Sequence, residues 1–417
     1  MALPRTVQPA KGHPLAQPSG LALLGCLTGL TPLAIDAYLP ALPELAHDLH
    51  ASSSQAQLTL SALLIGLAVG QAVAGPLSDA VGRRRPVLVG LALFSLTSLL
   101  CAFAPDVRVL IALRFLQGAS GAAGVVCARA IVRDLFEGVA MARAFARLVL
   151  VMGAAPVLAP ILGAQLLRVT SWRGVFVALS VAGLLMLIFA LRLLKETLPP
   201  ERRRPGSVGA TLRTFRLLLR DRPYLFHALA GGFSFAAMFA YISGSPFVLQ
   251  QVYGLSPQQF SIAFGLNAVA FVGMAQVGAR LVHRTGARAL LLTGTSMQVT
   301  GAVVIAAALG TGAGLPGLLP GLFLVVGSVG FTAPNATALA LAEHSAIAGS
   351  ASALLGLGQY VLGGTAAPLV GLAGKDTAVP MAVVIGVGAV LALTAALLAG
   401  RSADPHEVDL EAELPAA

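Results

Sequence analysis

Charge is scarce in this chain. Asp, Glu, Lys and Arg together make up 11% of its 417 residues, against ~25% in soluble globular domains. That excludes an ordinary water-soluble enzyme or binding module. Cysteine is scarcer still. Cys26, Cys101 and Cys127 stand apart, with no zinc or redox spacing between them, so no disulfide scaffold or metal-folded domain is encoded. No Gly-x-x-x-x-Gly-Lys-Ser/Thr string is present to cradle nucleotide phosphates, and Gly371-Leu372-Ala373-Gly374-Lys375-Asp376 is only a near miss. Gly-x-Ser-x-Gly and His-Glu-x-x-His are missing too, which leaves no hydrolase elbow and no zincin helix. No cofactor, metal ion or catalytic group is expected.

What the chain has is apolar length. Hydrophobic residues make up 57% and mean hydropathy is +0.86. The apolar runs are about 20 residues long, enough to cross ~30 Å of hydrocarbon as a helix. A β-barrel would instead alternate over ~10-residue segments. The expected fold is therefore an all-α polytopic membrane protein. Twelve transmembrane helices are placed at about 20–41, 56–76, 86–104, 108–128, 142–166, 172–194, 224–248, 259–281, 289–310, 315–339, 347–371 and 378–399.

The longest polar loop, 195–223, bisects the chain. It predicts a polar tail (1–18), a six-helix lobe (19–194), a central loop (195–223), a second six-helix lobe (224–400) and an acidic tail (401–417). Thr211–Arg222 reads as a short amphipathic helix on the membrane surface. The basic residues lie mostly in the loops after even-numbered spans, among them Arg83, Arg84, Arg85, Arg129, Arg133, Arg202, Arg203, Arg204 and Arg284. By the positive-inside rule both termini are then cytoplasmic. The net charge of +10 is orientation chemistry and attraction to anionic lipid, and no nucleic-acid partner is implied. A weak repeat links the halves: Leu77 and Gly82 match Leu281 and Gly286 at one constant offset, with His283 in place of Asp79.

Within this apolar background a few polar residues stand out. Asp36 is the one acidic side chain well inside a span. An ionised carboxylate at that depth costs roughly 2.5–3.5 kcal/mol, which marks it as a functional candidate. Arg114 in span 4 has Gln117 on its face at i+3, and its guanidinium stays charged and needs a partner. The loop Gly75-Pro76-Leu77-Ser78-Asp79-Ala80-Val81-Gly82-Arg83-Arg84 combines turn glycines with a charge cluster able to latch two bundles. Span 5 carries Gly153, Pro156, Pro160 and Gly163, a bent and closely packing helix. Tyr38, Gln117, Phe235, Phe239, Tyr241, Asn267, Asn335, Gln359 and Tyr360 are candidates for an aromatic cavity with few polar anchors.

The loop at 75–86 resembles the signature between helices 2 and 3 of the major facilitator superfamily. Asp36-Ala37-Tyr38-Leu39-Pro40, Arg114-Phe115-Leu116-Gln117-Gly118, the Arg129–Asp134 loop and Ser245-Pro246-Phe247-Val248-Leu249 are similar to strings of its proton-coupled drug exporters of the bicyclomycin/chloramphenicol-resistance type. The resemblance implies two lobes that rock about a central site. It also implies a proton-coupling role for Arg114 near Asp36, and an antiporter motif in span 5. That motif departs from the family's pattern at Ala159 and Ala164.

The expected function is export of small amphipathic drugs in exchange for protons by a monomer in the bacterial inner membrane. Asp36 would bind the proton and the Asp79 loop would act as a latch. Uptake of a metabolite by proton symport on the same fold is the first alternative. A non-transporting sensor or a membrane-embedded enzyme is the second.

Overall fold

The computed structural model describes residue 15 and residues 18–203, 208–344, 347–372 and 377–400. Most of the expected N-terminal tail, the acidic tail, part of the central loop and the turn holding Lys375 lie outside the described residues. The described residues form helices and no strand. In the first half they are α1 (Pro18–Asp36), α2 (Leu42–Asp48), α3 (Ser53–Val81), α4 (Arg84–Ala102), α5 (Val107–Leu135), α6 (Gly138–Leu166) and α7 (Trp172–Leu193). A surface helix α8 (Val208–Leu218) leads into α9 (Arg222–Phe247), α10 (Pro257–Thr285), α11 (Ala287–Thr311), α12 (Gly314–Leu341), α13 (Ala348–Val370) and α14 (Val379–Leu398).

Twelve segments among the described residues are long and apolar enough to cross a membrane. Their outer faces expose large apolar side chains such as Val73, Val89, Leu93, Leu150 and Leu184. Water would not tolerate so much exposed apolar surface, and lipid does. The even number of spans puts the start of α1 and the end of α14 on one face, called here the terminal face. The opposite face is called distal.

Local chemistry sets the helix ends. Ser52 accepts a hydrogen bond from the Gln55 N–H (3.2 Å) while Gln55 Oε1 accepts from the Ser52 N–H (2.9 Å). This capping box starts α3. Ser256 and Gln259 start α10 in the same way. α3 ends at Gly82 with φ +96° and α10 at Gly286 with φ +78°, a backbone region that favours glycine. Both pairs are 204 residues apart (256 minus 52 and 286 minus 82), so the sequence repeat is also a structural one.

Three expectations are corrected. The span expected at 20–41 breaks after Asp36. Pro40 has no N–H to give the Asp36 carbonyl, and it disfavours helical backbone at Leu39. Asp36 is therefore the last residue of α1, inside a span that runs on from Gly20 to Asp48. The loop expected to begin at Gly75 is helical through Val81, so only Gly82 makes the turn. The loop expected at Arg129–Asp134 is the last part of α5. Small residues let the helices approach closely. A Cβ on Gly118 would collide with the Leu63 carbonyl, and one on Gly66 with the Phe115 carbonyl, so α3 and α5 meet backbone to backbone.

Gly118→Val overfills that contact and should cost about 1–3 kcal/mol or more. Ser52→Ala removes one cap, worth about 1 kcal/mol. Thermal melting of the purified protein in detergent should show the larger loss for Gly118→Val.

Candidate functional site

Asp36 lies at the C-terminal end of α1, 4% exposed, and is the only buried carboxylate among the described residues. Ala37, next in the chain, packs its carbonyl against Gly163 of α6, where any side chain would collide. Across the lobe interface Tyr241 of α9 lies in the neighbourhood of Asp36. The Tyr241 hydroxyl accepts from Asn267 Nδ2 of α10 at 2.9 Å, and its ring stacks on Phe264 at 5.5 Å between centroids. Among the described residues no cation lies within ion-pair distance of Asp36.

Arg114 does not pair with Asp36. It is fully buried in α5, so it does not reach out to the membrane surface. Its Nη2 donates to the Ala34 carbonyl at 3.0 Å, one of the carbonyls left over where α1 ends. The negative end of a helix dipole favours a cation there. Nη1 donates to Gln117 Oε1 at 2.5 Å, and Gln117 donates on to Ser98 Oγ at 2.7 Å. The guanidinium carbon sits 4.3 Å from the Tyr38 ring centroid and 5.4 Å from that of Phe176, within range of cation–π attraction. Tyr38 is fixed in turn by Thr59 Oγ1 at 2.9 Å. A helix end, an amide and two aromatic faces thus replace a carboxylate. Asp36 and Arg114 are both held by the end of α1 while remaining unpaired.

The cavity candidates divide into groups. Tyr38 and Gln117 belong to the Arg114 nest, and Tyr241 and Asn267 to the wall facing Asp36. Phe235 stacks on Phe239 at 5.8 Å and meets Tyr360 edge-on at 6.1 Å. Gln71 of the first lobe approaches the Tyr360 hydroxyl. Gln359 faces Gly231 of α9. Asn335 turns back to its own helix, donating to the Phe331 carbonyl at 2.7 Å.

Hydrogen bonds between the lobes gather toward the distal face. Ser54 Oγ donates to the Pro368 carbonyl (3.0 Å) and Gln258 Nε2 to the Ala164 carbonyl (3.0 Å). Both donors and both acceptors are 204 apart (258 minus 54, 368 minus 164), so the repeat generates a symmetric seam. Ser61 Oγ donates to the Gly364 carbonyl at 2.6 Å. Pro368, four residues on, has no N–H for that carbonyl. Ser261 Oγ lies 2.9 Å from the Pro160 carbonyl, the repeat-related acceptor. Gln57 Nε2 to the Ser243 carbonyl (3.1 Å) and Gln250 Nε2 to the Pro40 carbonyl (3.2 Å) complete the seam. Among the described residues none of these pairs recurs at the terminal face. Of the span 5 motif, Pro160 belongs to this seam, Gly163 packs on Ala37 within the first lobe, Gly153 faces Val272 of α10 and Pro156 lies within α6.

The charge cluster after α3 is internal to the first lobe. Arg83 pairs with Asp79 at 2.5 Å and, through Nε, with Asp134 of α5 at 3.1 Å. Thr197 Oγ1 also donates to Asp134. Arg84 Nε donates to the Leu194 carbonyl at 2.8 Å. Glu196 was not among the expected site residues. Its carboxylate accepts backbone N–H bonds from Arg83 (2.7 Å), Arg84 (3.2 Å), Thr197 and Leu198 (3.1 Å each). It therefore caps the start of α4 from the end of α7. No sequence signal set it apart, since Glu201 and Asp221 are acids of the same loop. Partial burial alone would raise its pKa, but the backbone donors outweigh burial and hold it below the ordinary 4.5.

Residues 24–368 match the model of the Major Facilitator Superfamily. The chain is 43% identical to the uncharacterized MFS-type transporter YdgK of Bacillus subtilis, over 88% of this chain and 92% of the relative. It is 33% identical to the bicyclomycin resistance protein homolog of Haemophilus influenzae, covering 89% and 94%. To the multidrug resistance protein MdtL of Escherichia coli it is 28% identical, covering 86% and 87%. The crystal structure of a mutant of the nucleoside transporter NupG superposes with a TM-score of 0.75 over 91% of this chain and 99% of that one. At 13% identity that likeness concerns the fold.

Ser61→Ala orphans the Gly364 carbonyl in the closed seam, at about 1–3 kcal/mol. Spin labels at His47 and Leu372, both exposed at the distal face, should report a separated population enriched at least ~fivefold. Glu196 contributes stability in full above pH 4.5 and loses it as pH falls through its lower folded pKa. The melting gap between wild type and Glu196→Gln should therefore close below pH 4.5.

Proposed function

The chain belongs to the Major Facilitator Superfamily, and from that premise we propose that it exports small, neutral, amphipathic drugs in exchange for protons. Its setting is the bacterial inner membrane, with the terminal face toward the cytoplasm. The excess of arginine in the terminal-face loops supports that orientation. The observation that carries the reading is Asp36, a lone buried carboxylate at the lobe interface with no cation within ion-pair distance among the described residues. Such a group can take a proton from one side and release it to the other as the lobes rock.

The names of the Haemophilus and Escherichia relatives, which speak of bicyclomycin and multidrug resistance, support drugs as the substrate class. Phe235 and Tyr360 offer aromatic surface backed by the buried Phe239, with Gln71 and Gln359 as polar anchors. A neutral drug leaves Asp36 free for the proton. The distal seam is tied in the cytoplasm-open state, and the Asp79–Arg83–Asp134 cluster acts as the latch that changes when the lobes rock. In this reading the chain works as a monomer, each lobe supplying one wall of the Asp36 site.

One proton driven by a unit pH gradient supplies about 1.4 kcal/mol, and 100 mV adds about 2.3 kcal/mol per charge. One proton per drug then bounds the drug gradient at on the order of 500-fold. In inside-out vesicles, Asp36→Asn should lower proton-driven drug uptake at least tenfold while leaving drug binding to the purified protein intact. Unchanged uptake would remove Asp36 from the coupling step.

A further inference from the structure

We propose that the groove on the outer face of the first lobe, between α3 and α4, binds one anionic phospholipid. The lipid comes from the leaflet on the terminal side. The groove holds about 430 Å³. Its walls are Val73, Leu77, Val89 and Leu93, all on the lipid-exposed surface. Gly70 and Gly90 form its floor. Each packs so tightly against α5 that no side chain fits there.

Arg85 stands at the groove's mouth, in the first turn of α4. Its neighbours Arg83 and Arg84 are occupied by Asp79, Asp134 and the Leu194 carbonyl. Arg85 itself is exposed and forms no hydrogen bond or ion pair among the described residues. From Arg85 to Leu93 is eight residues of helix, roughly 12 Å at 1.5 Å per residue. One leaflet's hydrocarbon is about 15 Å deep, half of ~30 Å. A guanidinium at headgroup level over an apolar slot of that depth fits a phosphate with an acyl chain below it.

Charge singles out this groove. Two comparable grooves, between α11 and α14 and between α3 and α5, are lined without any charged residue. The repeat sharpens the contrast. At the 204-residue offset Arg85 becomes Ala289 and Gly70 becomes Met274, so the second lobe lacks both the cation at that position and the open floor. The site is a property of the first lobe, beside the turn that carries the Arg83 cluster.

The inference rests on the membrane setting and is independent of drug export. Native mass spectrometry of the purified chain, titrated with phosphatidylglycerol or phosphatidylcholine of identical acyl chains, tests it. The wild type should retain one phosphatidylglycerol in preference to phosphatidylcholine. Arg85→Gln should weaken phosphatidylglycerol about fivefold and erase the preference. Val73→Trp, which fills the slot from the lipid side, should reduce both lipids. Thermal melting verifies that each variant is folded, and if Val73→Trp is not, Arg85→Gln decides alone. An undiminished preference in Arg85→Gln overturns the proposal. So does a folded Val73→Trp that keeps its lipid, or one that only converts a two-chain species to single chains, which would make the groove a contact between copies.

Discussion

In hydrocarbon a carbonyl without an N–H partner has no water to turn to. The structure around the candidate site follows from how a few proline-freed and helix-end carbonyls are satisfied. Pro40 ends α1 at Asp36 because it cannot donate back, and the carbonyl of Ala34, left over nearby, is taken by Arg114. Pro368 frees the Gly364 carbonyl inside α13, and Ser61 of the other lobe takes it. The same shortage that breaks a helix beside the candidate proton site ties the lobes together at the distal face. A seam of side-chain donors on backbone acceptors can part and re-form without exposing a hydrophobic core, which suits the rocking proposed above.

Charge follows the same logic. Three of the buried or half-buried arginines of the first lobe are met in different ways. Arg83 has two carboxylates, Arg84 has a helix-end carbonyl, and Arg114 has a helix end, an amide and two rings. Because α1's end and the aromatic faces hold Arg114, no carboxylate is consumed in neutralising it. Asp36 is left as an acid whose charge is not already balanced, as the proposed proton exchange requires. A tight Asp36–Arg114 ion pair would have been a structural bridge instead.

Much of this was legible in the sequence. Apolar runs of bilayer length gave twelve spans, arginine-rich loops gave an orientation to test, and a single deep carboxylate pointed to Asp36. The helix ends were less legible. The string from Gly75 contains glycine, proline and aspartate, which read as a loop. Packing and the absence of a φ-positive requirement keep it helical until Gly82. The Arg129–Asp134 segment is the last part of α5 and carries Asp134 to Arg83. Glu196 looked like one more residue of a polar loop.

The sequence by itself determined the solvent, the number of spans and the twofold repeat. Hydropathy, capping boxes, glycine turns and proline act locally, over a few residues of chain. Only the tertiary structure decided that Arg114 turns to the Ala34 carbonyl and away from Asp36, that Tyr241 faces Asp36 from the other lobe, and that Ser61 meets Gly364. Those partners lie 80 to 303 residues apart in the chain. Their meeting depends on the close packing that small residues permit, and no local pattern encodes the distance across which two helices will exchange a hydrogen bond.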